Sequence, residues 1–178
     1  MPPTERISLA RTIAAAHALD PALVCAIIEQ ESAWDAHAIR YEPAFRTRYV
    51  APLGLPPTEE VARSISWGLM QVMGQVAREH KFAAKFLSAL CDPAVGIEIG
   101  CIVLVSKFAI ASRTAGVSPA NFPLQSPSPL PSVPVAAAFR PADFLSDVAL
   151  TARALQLWNG GGNPNYAAEV LARLPNYK

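Results

Sequence analysis

The sequence predicts an all-α domain interrupted by a single proline-rich loop insertion, and three observations carry that expectation. Two aspartate–proline pairs, Asp20-Pro21 and Asp92-Pro93, each open an apolar stretch, with the aspartate placed to cap a helix and the proline suited to its first turn. Apolar residues recur at helical spacing through most of the chain. Between Gly116 and Pro141 that periodicity stops and proline and serine dominate, the composition of an extended or flexible excursion.

Taken in order, Thr4 to Leu19 places Ile7, Leu9, Ile13, Ala14 and Leu19 at helical spacing and reads as a first helix. The second begins at Asp20. On it Val24, Ile27, Glu31 and Trp34 share a narrow face flanked by Leu23 and Ile28, so a carboxylate interrupts an apolar stripe, while Glu29 falls on the opposite, solvated side. The stretch from His37 to Pro57 reads as mostly irregular, although aromatic residues interleaved with Arg40, Arg46 and Arg48 are unusual in a passive loop. Thr58 to Ser64, opening with Thr-Glu-Glu-Val, has a capping pattern and predicts a short helix. After a break at Ser66-Trp67-Gly68, the stripe Leu69, Met70, Met73, Val76 and Ala77 predicts a helix to Phe82. Asp92-Pro93 opens a helix to about residue 112. Beyond the insertion, Leu145, Val148, Ala152, Leu155 and Trp158 predict a helix from Asp143 that stops at Gly160-Gly161-Gly162, and a final helix runs from Tyr166 to Leu174.

A carboxyl group on a buried stripe is costly when ionised, so burial raises its pKa and keeps it protonated near neutral pH. That is the property of a general acid. The competing reading of an isolated Glu31 is a structural ion pair with an arginine.

Composition limits the alternatives. A chain of 178 residues, 52% hydrophobic and 16% charged, is expected to bury one core as one domain. The net charge of +1 without a basic stripe gives no footprint for nucleic acid. The apolar run from Ile97 to Val105 contains Glu98 and is too short for a bilayer, so no transmembrane helix is expected. Glu5, Arg6 and Arg11 interrupt the N-terminal apolar residues, which gives no secretory signal. Cys25, Cys91 and Cys101 read as thiols and not as a disulfide framework, and His17, His37 and His80 lack zinc-site spacing relative to them. No metal and no cofactor is expected.

Four groups of residues then occur in a telling order: Glu31-Ser32 at a helix end, Gly68-Leu69-Met70-Gln71-Val72-Met73, Asp92-Pro93 followed by Ile97, Gly100 and Leu104, and Trp158-Asn159-Gly160-Gly161 followed by Tyr166. Together they resemble the catalytic domain of the soluble lytic transglycosylases, itself similar to goose-type lysozymes, over roughly Ile7 to Leu174 apart from the insertion. The resemblance implies a lysozyme-like helical fold and cleavage of the β-1,4 bond between N-acetylmuramic acid and N-acetylglucosamine in peptidoglycan glycan strands. It implies Glu31 as the single acid/base, and a cleft in which Ser32, Gly68, Gln71, Met73, Trp158, Asn159 and Tyr166 meet the sugar. Gly68 would admit close backbone approach, Gln71 would bond N-acetyl or hydroxyl groups, and Met73 would give an apolar contact.

This chain departs from the family pattern at three places. Trp158 stands where relatives carry a tyrosine and offers only an indole N–H. Either Tyr166 supplies the missing hydroxyl or the surroundings of Glu31 differ. The stretch between Glu31 and Gly68 is long, with Ser64 and Ser66 as weak substitutes for a cleft serine, and Gly96 replaces a frequent asparagine. The rival activity is hydrolysis of the same bond, for which Asp35 and Glu42 are the nearby carboxylates in sequence. The rival of another class is a non-catalytic peptidoglycan-binding part of a phage particle or envelope assembly. The implied site of action is the cell wall or periplasm, reached in the absence of a signal through a secretion machine, a lysis event or a phage particle.

Overall fold

The structure, a computed structural model, describes residues 3–114 and 147–178. Its axle is helix α2 (Pro21–Ser32), capped as the Asp-Pro pair predicts: Asp20 Oδ1 accepts the N–H of Ala22 at 2.6 Å and of Leu23 at 3.4 Å. From Ala22 to Ile28 every residue is buried. A helix apolar all round belongs inside a core, and α2 is sheathed by α1 (Pro3–Ala16), the short helix Tyr166–Leu171 and a 3-10 turn, Leu174–Tyr177. Glu31 therefore stands at the end of the buried stretch, half-buried where the helix leaves the core, and not in the middle of an apolar stripe.

The second long element is the helix Pro93–Thr114, whose first N–H groups are bound by Asp92 Oδ1, from Ala94 at 3.0 Å and Val95 at 3.1 Å. By length and composition its segment Pro93–Arg113 is apolar enough to cross a membrane, which the short run around Glu98 did not suggest. In this fold Ile97, Cys101, Leu104, Phe108 and Ala111 are buried against the core, while Glu98 faces out and pairs with His17 at 2.9 Å.

The fold is mostly helical, as expected, with one addition. A small antiparallel sheet, β1 (Ile39–Tyr41), β2 (Ile65–Trp67) and β3 (Val72–Met73), runs in that order, with Arg40 opposite Ser66 and Ser66 opposite Met73. Strands of two or three residues are too short to show alternation. Between β1 and β2 the chain expected to be irregular forms a helical turn α3 (Pro43–Phe45), a π-turn over Arg46–Val50, a 3-10 turn over Ala51–Leu53 and α4 (Pro57–Arg63). No side chain caps α4, so the Thr-Glu-Glu-Val capping pattern does not act as one; Pro57 at its first position starts the helix.

The helix expected from Leu69 to Phe82 is also corrected. Gly68 (φ +69°) and Gln71 (φ +47°) are left-handed, which no α-helix accommodates, so Gly68 to Gln71 is a turn. Only Gly74–Glu79 (α5) is helical. Leu69 and Met70 still point into the core. With these elements in place, Pro93–Thr114 is α6, Val148–Trp158 is α7 and Tyr166–Leu171 is α8. Asp147 caps α7 by accepting from Leu150 N at 2.9 Å; Thr151, Ala154 and Leu155 are buried, but Val148 is exposed. The proline-rich excursion over 116–141 and the helix start at Asp143 lie outside the described residues.

The turn and α6 meet through glycines. A Cβ on Gly68 would lie 2.3 Å from the carbonyl oxygen of Leu90, and one on Gly100 2.2 Å from the Met70 sulfur. Gly68→Ala should therefore cost about 2 to 5 kcal/mol, combining a left-handed alanine with an overpacked contact. Its thermal midpoint should fall by on the order of 10 °C. Gly160→Ala, also at positive φ but with open space around it, isolates the backbone part and should fall much less. Equal melting curves for the two variants would show that the Leu90 contact is not tight.

Candidate active site

The end of α2 is closed by an unusual turn. Ala33 (φ +48°) and Trp34 (φ +67°) are both left-handed, about 1 to 2 kcal/mol unfavourable apiece. They are held from outside: the Arg6 guanidinium donates to the Trp34 carbonyl, and the Trp34 indole donates to the Tyr177 hydroxyl at 2.8 Å. The Trp34 and Tyr177 rings also pack in a tilted pair, with centroids 5.9 Å apart. The Ser32 hydroxyl lies 2.8 Å from the Leu69 carbonyl and 3.1 Å from that of Ile28, which joins the Glu31 turn to the Gly68–Gln71 turn. Glu29, expected to be solvated, is half-buried under Arg173 (3.9 Å) and Tyr177 because the C-terminal turn covers that side of α2.

Glu31 receives two donors on one oxygen. Tyr166 O–H reaches Oε1 at 2.6 Å and the Trp158 indole N–H reaches it at 3.0 Å. Of the two outcomes the sequence left open, the hydroxyl comes from Tyr166, with Trp158 as a second donor. Oε2 accepts nothing from a described residue and is not among the enclosed polar atoms without partners, so it is the accessible oxygen. No arginine forms an ion pair with Glu31 among the described residues.

Burial raises the Glu31 pKa above the ordinary carboxyl range; the bonds from Tyr166 and Trp158 and the positive field of Arg40 oppose it without cancelling it. Burial, together with the neighbouring Glu31, also pushes the Tyr166 phenol far up, so Tyr166 keeps the proton that it can donate. Arg40, on β1, is the influence that the sequence reading did not attach to Glu31; it is largely exposed and pairs with Glu42 at 2.5 Å. Asp35 is exposed and accepts from the His37 backbone at 2.9 Å.

The remaining candidates line or brace this region. The Gln71 amide donates to the carbonyls of Ala38 and Gly68, each at 2.9 Å, and accepts from Ser66 Oγ at 2.8 Å, so its polar atoms are engaged within the turn. Ser64 is buried and donates to Glu60 O at 2.7 Å. The close approach that Gly68 permits is to Leu90, and Gly96 approaches that same carbonyl. Met73 is half-exposed at the end of β3. Asn159 Nδ2 donates to the Asn163 carbonyl at 3.2 Å. The three cysteines are free, and no cluster of metal-ligating side chains occurs among the described residues.

The model of one family, the Transglycosylase SLT domain, matches residues 8–115. The chain belongs to that family. No curated protein and no solved structure matches it. Membership brings a lysozyme-like fold and transglycosylase-type action on peptidoglycan in general. The matched span of this SLT domain contains Glu31, Ser32, Gly68, Gln71 and Met73; Trp158, Asn159 and Tyr166 lie beyond it. The two groups that hold the Glu31 carboxyl thus come from the part of the chain that follows the match.

Donors to a carboxylate favour its charged form. Tyr166→Phe and Trp158→Phe should each raise the Glu31 ionisation midpoint, the tyrosine change more, as followed by the carboxyl 13C resonance across pH. A midpoint that stays put or falls in both variants would contradict the arrangement.

Proposed function

We propose that this domain is a lytic transglycosylase that cleaves the β-1,4 bond between N-acetylmuramic acid and N-acetylglucosamine, with Glu31 as its only acid/base. The observation that supports this most is the asymmetry of Glu31: Oε1 is saturated by Tyr166 and Trp158, and Oε2 is open. A carboxyl with a raised pKa carries its proton on Oε2. It gives that proton to the glycosidic oxygen as the bond to muramic C1 breaks, and the N-acetylglucosamine leaves with a free hydroxyl. The muramic C6 hydroxyl then bonds to C1 while its proton returns to Oε2. The 1,6-anhydro ring closes and no water is consumed.

Hydrolysis by two carboxylates needs a second carboxyl roughly 5 to 9.5 Å from the first. Glu42 pairs with Arg40, and Asp35 is an exposed helix end that bonds its own turn. Both carboxyls are already engaged elsewhere, which supports the lyase reading. Around the acid, Ser32 and Gln71 hold the turn that walls the cleft, and Met73 and Asn159 offer an apolar and a polar contact to sugar. Peptidoglycan is met at the cell wall or periplasm, by export, lysis or a phage particle.

Glu31→Gln should abolish solubilisation of peptidoglycan, and the wild-type products should carry anhydro ends. Predominantly reducing ends would make the chain a hydrolase, and activity surviving in Glu31→Gln would remove Glu31 from the reaction. The same variant has a stability signature. A carboxyl whose folded pKa is raised contributes stability below its unfolded pKa and loses it as pH rises through the folded pKa. Wild type and Glu31→Gln should therefore melt alike at acid pH, with the variant gaining ground as pH passes upward through the raised value. A variant that loses ground over that window would mean the carboxylate is stabilising when charged.

The reading also makes 1–178 one domain, since Glu31 and its donors stand on opposite sides of residues 116–141 in sequence yet bond each other. Closing a loop of that length instead of a short one costs only about 1 to 2 kcal/mol. Replacing 116–141 by a brief Gly/Ser turn should preserve the cooperative melt and the activity. Two separate transitions would divide the chain.

A further inference from the structure

Helix α8 touches α2 at two polar points three residues apart. Tyr166 reaches Glu31, and the Glu169 carboxylate accepts from Gln30 Nε2 at 2.9 Å. The same oxygen of Glu169, Oε2, accepts from Asn163 Nδ2 at 3.1 Å. Asn163 is the centre of the turn between the two Glu31 donors: its carbonyl accepts the Tyr166 N–H at 3.2 Å and the Asn159 amide at 3.2 Å, and its side-chain oxygen accepts the Asn165 N–H at 2.9 Å. The contacts close a ring from Glu31 through Trp158 or Tyr166, Asn159, Asn163, Glu169 and Gln30 back to Glu31.

We propose that Glu169 is a positioning residue that, by joining Asn163 to Gln30, holds the Trp158 indole and the Tyr166 hydroxyl together on Glu31 Oε1. Three features carry this. The segment Gly160-Gly161-Gly162 between the donors has little conformational preference of its own, and Gly160 and Gly161 sit at positive φ in open space. Something outside the segment must therefore fix the distance from Trp158 to Tyr166, and among the described residues the contacts from outside it converge on Asn163 and, through Gln156, on the Pro164 carbonyl at 2.8 Å. Second, Gln156 lies on the same helix as Trp158, so its bond ties the turn only to α7; among the described residues Glu169 alone links the turn to the residue beside the acid. Third, Gln30 turns its Nε2 to Glu169 although its Oε1 is then enclosed without a described partner. A buried acceptor left empty is unfavourable, which marks the bond to Glu169 as the one that sets the orientation.

Glu169 does not touch the reacting atoms, so the proposal concerns geometry at Glu31, and its consequence for rate rests on the function proposed above. The test has one readout for each. In 1H–15N spectra the Trp158 indole N–H, assigned with Trp158→Phe, should shift as Glu31 titrates, and Glu31→Gln should remove that shift. Glu169→Ala should lose at least half of its amplitude. Glu169→Gln keeps an acceptor oxygen for both donors and should restore it. Asn163→Ala opens the ring at the next joint and should repeat the Glu169→Ala result, which keeps the test decisive if Glu169→Ala does not fold. An undiminished titration shift in folded Glu169→Ala or Asn163→Ala would overturn the proposal.

On peptidoglycan, kcat of Glu169→Ala should fall at least about tenfold, the scale of a modest misplacement of catalytic groups, with KM changed less than about twofold. The loss should be non-additive with Tyr166→Phe, the double variant being no slower than the worse single one. Additive losses would assign Glu169 a general structural role and overturn it. A wild-type chain without lytic activity would sink the proposed function, while the indole response would still decide the role of Glu169.

Discussion

The candidate site depends on one carboxyl group being desolvated and yet partly satisfied. Burial alone would leave Glu31 an unsolvated acid of no fixed orientation, and full satisfaction by cations would leave it a spectator carboxylate. Two neutral donors on a single oxygen give the intermediate state. They orient the group, lower its pKa less than burial raises it, and leave the second oxygen free. The donors stand 127 and 135 residues from Glu31 in sequence. The long helix α6 and the return through α7 and α8 are what bring that distance to about one hydrogen bond.

The rest of the site is arranged to keep the end of α2 where those donors need it. Two consecutive left-handed residues without glycine are unfavourable, and they persist because Arg6 and Tyr177, whose ring packs tilted against that of Trp34, grip the turn from outside. Arg11 in turn donates to the Tyr177 carbonyl at 2.5 Å, so helix α1 anchors the C-terminal turn that anchors Trp34. On the other side, Ser32 bonds Leu69, and Met70 of the same turn packs on Gly100, which couples the end of α2 to the packing of α6. The local strain is thus balanced by tertiary contacts on both sides, not by helix propensity.

What was legible in the sequence follows from how local the responsible physics is. The Asp-Pro caps of α2 and α6 need only two adjacent residues, and both formed. Glu31 was legible because periodicity places it on the line of Val24 and Ile27, even though it proved to sit at the end of the buried segment. Trp158 and Tyr166 were legible only through the resemblance, since nothing in their neighbourhood shows which carboxyl they meet. The misses are tertiary. Gly68 to Gln71 carries the apolar spacing of a helix, but the contact with the Leu90 carbonyl forces it into left-handed turns. Glu29 looks solvated on a helical wheel and is covered by a C-terminal turn that no wheel contains. The strands of the sheet are too short to declare themselves and exist through their partners.

Trp158 constrains how the acid is held. An indole N–H can donate but can neither accept nor ionise, so the bond from Trp158 has one possible sense whatever the protonation state of Glu31. Tyr166, pushed far above its usual range, keeps its proton over the range in which Glu31 titrates, and its hydroxyl can donate or accept. When Glu31 is protonated, the indole N–H still points at Oε1 and disfavours a proton on that oxygen. A second hydroxyl in place of the indole could accept as well as donate and would leave both senses open on that side of the carboxyl. The tryptophan therefore biases the proton toward Oε2. Because Trp158 and Tyr166 lie beyond residues 8–115, the segment that holds the Glu31 carboxyl is separate in sequence from the segment that carries it.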